Sequence, residues 1–151
     1  MMTKRLSAWI AALVCLCCTQ AWATEANEPI RLVFAGDVVL NADAGHMIER
    51  GADPFADFSS VFKTADVRLA NLECVVTTQG AAGSKIYSFR AHPRVLPVLK
   101  RHFDAVALAN NHSGDFGRLA FADMLTRLRQ SGIDQFGGGH NLAQAHAPLI
   151  V

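Results

Sequence analysis

Three short apolar runs, each closed by a polar cluster, constrain this chain more than anything else in it. Residues 30–35 (IRLVFA) end at Gly36-Asp37, residues 66–72 (DVRLANL) at Asn71-Leu72-Glu73, and residues 103–109 (FDAVALA) at Asn110-Asn111-His112. Runs of this length bounded by turn residues read as buried strands. Between them lie stretches of helical period. Phe55, Phe58, Val61 and Phe62 follow the Asp53-Pro54 turn, and Val95, Leu96, Leu99 and Phe103 share a face after His92-Pro93. Leu119, Ala122, Leu125 and Leu128 give the apolar stripe of a helix over residues 119–131, with Gly132 as its stop. Residues 133–136 and 148–151 are further strand candidates, 86–91 a minor one, and 141–147 a turn or two of helix. Strands alternating with helices demand crossover connections, so the class is α/β with a largely parallel sheet.

In open parallel sheets, ligands bind outside the carboxyl ends of the strands. Loops leaving those ends can bring Asp37, Glu73, Asn111 and His112 into one cleft although none is close to the next in sequence. Carboxylates, an amide oxygen and an imidazole are ligands for a divalent metal ion such as Mn, Mg, Fe or Zn. His112 is also the residue expected to act in catalysis. Asn71, Asn110, Asp115 and His140 are supporting positions, His140 because the three glycines before it allow close approach to a ligand. Each residue also has a structural reading. Asp37 can cap a turn, one of the two asparagines suits a left-handed turn, Asp115 can be an N-cap, and His112 a hydrogen-bonded core histidine. Glu73 lies in an apolar stretch (ANLECVV), where a carboxylate needs a cation or donors.

Residues 1–23 read as a secretory signal peptide: Lys4 and Arg5, an apolar run over residues 6–18, then Ala21-Trp22-Ala23. An uncleaved membrane anchor is the alternative. Export to a periplasmic or extracellular location follows from either reading, tethered to the membrane in the second. Residues 24–29 are a polar lead-in, and residues 30–151 form the folded portion. Of 4 cysteines, Cys15, Cys17 and Cys18 fall in the leader, so Cys74 has no internal partner and is expected to be a small buried apolar residue. The formal charge is +1, which argues against nucleic acid as a partner.

The segments AGDVVLNADAGHMIERG, LANLECVVT, YSFRAHPRVLPVLKRHFDAVALANNHSGDFG and FGGGHNLAQAHAPLIV, in that order and spacing, resemble the CapA family of bacterial poly-γ-glutamate capsule synthesis proteins. ANNHSGDFG is the specific element, with Ser113-Gly114 a departure from the usual pattern. The resemblance implies a metallophosphoesterase-like sandwich of sheets flanked by helices, with Asp37, Glu73, Asn111 and His112 at the candidate ligand positions and Asp115 as the trailing acid. It also implies a domain about twice this length, so the chain is expected to be the N-terminal part of one, with an apolar face uncovered, poor stability and no activity alone. The functions implied are a metal-dependent hydrolase of the cell envelope or a non-catalytic polymer-assembly or anchoring subunit. The partners would be an anionic polymer or phosphoester and a membrane capsule-synthesis complex. A fragment without activity is the third reading.

Overall fold

The computed structural model describes residues 28–151. The expected leader, with three of the cysteines, and most of the lead-in lie outside the described residues. The elements, in order, are β1 (Leu32–Val38), α1 (Ala42–Glu49), a 3-10 turn (Ala56–Phe58), α2 (Ser59–Phe62), β2 (Val67–Leu72), β3 (Val75–Val76), β4 (Arg90–Ala91), a 3-10 turn (Pro93–Val95), α3 (Leu96–His102), β5 (Ala105–Ala107), α4 (Gly117–Gln130), β6 (Asp134–Phe136) and α5 (Leu142–Ala145). The class is α/β. A four-stranded, all-parallel sheet runs β1-β2-β5-β6, and β3 and β4 form a separate parallel pair.

Every crossover in the larger sheet steps the same way, and right-handed crossovers then put the connecting helices on one face. Burial follows that rule. Ala70, Leu72 and Val106 are buried, whereas Leu32 and Phe34, at the β1 edge, are 51% and 69% exposed. Side chains of paired residues share a face. Leu32 is paired with Val67 and Phe34 with Leu69; Val67 and Leu69 are half-buried and Ala105, next in that row, is fully buried, so the open apolar surface lies at the β1 edge.

Register decides where the polar strand ends meet. β1 slips between Phe34 and Asp37, and Gly36 takes φ +72 within the slip, a conformation that glycine adopts without strain. Pairing resumes with Asp37 opposite Asn71, and Asn71 opposite Ala107. Asp37, Asn71 and the end of β5 therefore stand in one row across three strands. At the other end of the sheet, Arg68 Nε and Nη2 donate to Asp104 (3.0 and 2.7 Å) and the two main chains also bond, tying β2 to β5.

The helical side holds Phe103, fully buried, with Phe55 (5.2 Å, 89°) and Phe62 (5.5 Å, 70°) packed against it edge-on. α4 meets this core with Ala120, Met124, Leu125 and Leu128. Leu119, expected in the stripe, is 80% exposed: the buried row runs 120-124-128 and leaves Leu119 facing away. α1 buries Ile48 and packs Ala44, one turn earlier, against the core. Residues 148–151, expected to begin a strand, form no regular element; among the described residues no strand pairs with them. Cys74 is fully buried, accepts from the Leu40 amide (3.5 Å), and has its thiol pushed up to about 11 by burial, as an inert apolar residue should.

Asp53 fixes the turn before α2. Its carboxylate accepts from the Phe55 amide (3.0 Å), Arg101 Nη1 (2.9 Å) and His102 Nε2 (2.8 Å). Burial opposes its ionisation, but the bonds from His102, Phe55 and Arg101 outweigh it and hold the carboxyl below its ordinary 3.8. A lowered carboxyl stabilises the fold above its unfolded value and loses that contribution as pH falls through its folded value. Asp53→Asn is therefore expected to destabilise the chain by about 1–3 kcal/mol at pH 7. The difference from wild type should shrink as pH is taken below 3.8, as read by urea unfolding at each pH.

Candidate functional site

The row Asp37-Asn71-Ala107 places three strand ends together, and a directed chain of amides joins them. The His112 amide N–H, a donor that cannot turn round, lies 2.9 Å from Asn110 Oδ1, which also accepts from Ser113 Oγ (3.1 Å). The NH2 group of Asn110 is thereby aimed at Asn71 Oδ1 (3.0 Å) and at the Leu72 carbonyl (3.0 Å). The NH2 of Asn71 in turn points at Asp37 Oδ1 (2.8 Å) and Glu73 Oε2 (3.1 Å). The main chain at both His112 and Leu72 dictates which way each amide faces.

Two carboxylates therefore sit on one amide. Glu73 is raised above its ordinary value, first by partial withdrawal from water and then by the neighbouring Asp37 carboxyl, which favours a shared proton and repels a second charge; His112 pulls the other way. Glu73 Oε1 lies 3.9 Å from His112 Nε2. That is too far for a hydrogen bond, yet two donors each about 2.1 Å from one ion stand roughly 3–4 Å apart.

The other ring nitrogen is committed. His112 Nδ1 lies 2.7 Å from Asp115 Oδ2. Burial works against the charge on Asp115, but bonds from Lys85, His112 and the Phe89 amide outweigh it and hold the carboxyl below its ordinary value. An ionised carboxylate only accepts, so Nδ1 carries a proton, and Nε2 is the ring nitrogen turned toward Glu73. A carboxylate behind an imidazole is the usual support of a metal-ligating histidine. In donor type, Asp37, Glu73 and His112 suit a divalent cation. Among the described residues no three His, Cys, Asp or Glu side chains stand in an arrangement that could hold a metal ion; the Asn71 amide sits between the two carboxylates instead.

Of the positions singled out in the sequence, Asp37, Asn71, Glu73, Asn110, His112 and Asp115 are joined in this network. Asn111 is exposed and offers its main-chain carbonyl, which accepts from Lys85 Nζ. His140 is exposed too, its amide donating to Gln144 Oε1 (2.8 Å), and no bond ties it to the cluster. Asp115 is no N-cap, since that position is Phe116. Lys85, Phe89 and Ser113 join the site without having been singled out for it. Lys85 had one signal, as the lone cation in residues 78–89.

The model of the bacterial capsule synthesis protein family PGA_cap matches residues 31–151. A probable polyglutamine synthesis accessory protein of Mycobacterium tuberculosis is 39% identical over 88 residues, which cover 57% of this chain and 23% of the relative. The PGA biosynthesis protein CapA of Bacillus subtilis is 26% identical over 127 residues (81% and 33%), and the capsule biosynthesis protein CapA of Bacillus anthracis 24% over 147 residues (87% and 36%). The matches thus span about a quarter to a third of the length of these curated relatives.

The two adjacent asparagines should behave differently. Asn110→Ala strands the His112 amide and Asn71 Oδ1 and removes a donor from the Leu72 carbonyl, and is expected to cost about 2–4 kcal/mol. Asn111→Ala should stay within about 0.5 kcal/mol of wild type. Urea unfolding of the two variants checks both values.

Proposed function

Because this chain belongs to the bacterial capsule synthesis protein family whose model it matches, we propose that it works in capsule polymer synthesis in the cell envelope as a CapA-type protein. In this reading it is exported by its leader, and Asp37, Glu73 and His112 hold a divalent cation. The observation that carries the reading is the imidazole of His112, with Nδ1 tied to buried Asp115 and Nε2 turned toward Glu73. The names of the relatives support the process, poly-glutamate or capsule synthesis, and say nothing of a reaction.

A bound Mn, Mg, Fe or Zn ion supplies Lewis acidity toward a phosphoryl or carbonyl oxygen. The chain's own residues set the conditions for it. Asp37 and Glu73 provide negative charge whose mutual repulsion a cation relieves. Asp115 holds a proton of His112 on Nδ1, so that Nε2 is the ring nitrogen left to face the ion. Asn110 and Asn71 hold the two carboxylates at the rigid ends of β1 and β2. Asp37 is exposed and Glu73 and His112 are half-buried, so the cluster is open to a chain-like substrate. With so little net charge on the protein, the cation would also be the feature that attracts an anionic polymer or phosphoester.

Titration of the purified chain with manganese or zinc, followed by a screen on a chromogenic phosphodiester, tests the proposal. Wild type is expected to bind the ion, and Asp37→Asn and His112→Ala to bind it at least about tenfold more weakly. Any hydrolysis should vanish in both variants. Ligands must shed their protons, so affinity should fall as pH drops through the raised range of Glu73. Wild-type affinity in both variants would contradict the metal site. Retention of polyglutamate without turnover would shift the role to assembly or anchoring.

A further inference from the structure

The connection from β3 to β4, residues 77–89, wraps the side of the cluster away from Glu73. The Gly83 amide donates to the Asp115 carbonyl (3.0 Å), and the Phe89 amide to Asp115 Oδ2 (2.8 Å). The Phe89 ring lies on the His112 ring, with centroids 4.3 Å apart and planes at 31°. Gly80 takes φ +76 against α4, where a Cβ would run into the Phe116 carbonyl. Lys85 completes the wrap: Nζ donates to Asp115 Oδ1 (2.7 Å) and to the Asn111 carbonyl.

The two oxygens of Asp115 are thus divided. Oδ1 belongs to Lys85, while Oδ2 receives His112 Nδ1 and the Phe89 amide. The Asp115 side chain is fully buried and that of Lys85 is 46% exposed. An exposed ion pair is worth little, but here one partner is a buried carboxylate whose only lysine contact among the described residues is this one. Without it Oδ1 loses its donor, and the carboxylate is held through Oδ2 alone, by His112 Nδ1 and the Phe89 amide.

We propose that Lys85 is a positioning residue of this site: by clamping Asp115 Oδ1 and the Asn111 carbonyl, it holds Oδ2 against His112 Nδ1 and so presents Nε2 to Glu73. The inference rests on the metal reading above only for what Nε2 is presented to. The orientation of the ring stands apart from it.

The test uses the full chain, labelled with 15N-histidine, as wild type, Lys85→Met and Lys85→Arg, at one fixed alkaline pH, where histidine rings are neutral and each carries a single N–H. Urea unfolding reports the fold, the ring nitrogen shifts report the tautomer of His112, and zinc titration reports affinity. Lys85→Met is expected to unfold cooperatively, to lose the single Nδ1–H signature, and to bind zinc about tenfold more weakly. Lys85→Arg should recover most of both. Lys85→Gln serves in place of Lys85→Met if the latter loses cooperative unfolding, with the same expected result. A wild-type ring signature in the Met or Gln variant overturns the positioning role, even where wild type binds zinc well and the metal reading survives. If wild type takes up no zinc, the metal reading falls, and loss of the signature in the variant still supports the positioning role.

Discussion

The Asn110–Asn71 contact is the interaction on which the site depends. Together with the bond from the same NH2 group to the Leu72 carbonyl, it joins the loop after β5 to the end of β2, and through Asn71 to Asp37 on β1. Its direction is set from outside the side chains, by the His112 N–H at one end and the Leu72 carbonyl at the other. Reverse either amide and a donor would face a donor. The polar groups at the strand ends are therefore a single oriented unit. Such fully satisfied networks fix one arrangement, whereas partly satisfied ones are costly to bury.

The fold prepares that unit through register more than through loops. The slip at Gly36 lets Asp37 come level with Asn71, and strands that rigid hold side chains more closely than loops do. The apolar side chains left open in the sheet, Leu32 and Phe34, lie at its β1 edge, while the row they share is covered by the time it reaches Ala105 on β5.

Much of this was legible in the sequence, because short apolar runs ended by Gly, Asn or His announce parallel strands and mark where their carboxyl ends lie. The α/β class, the strand positions near residues 32, 67 and 105, and the collection of Asp37, Glu73 and His112 all follow from that one pattern. What was not legible turns on orientation. Adjacent asparagines look alike in a sequence, and only the turn at His112 decides that Asn110 faces inward while Asn111 faces solvent. Asp115 precedes a helix as a cap would, yet its side chain turns back to His112 because burial leaves it no water and three donors await it. Leu119 fits a helical stripe by spacing, but the phase of α4 is set by what β3 and β6 present. Lys85 is a long-range partner in a stretch of small and polar residues, and no local period points to it.

The most direct measurement of the central claim is anomalous diffraction from crystals of the chain grown with manganese. The account predicts one peak at the strand ends, in contact with Asp37, Glu73 and His112 Nε2, with His112 Nδ1 still on Asp115. A peak elsewhere, or none, with the Asn71 amide still bonded to both carboxylates, would contradict it.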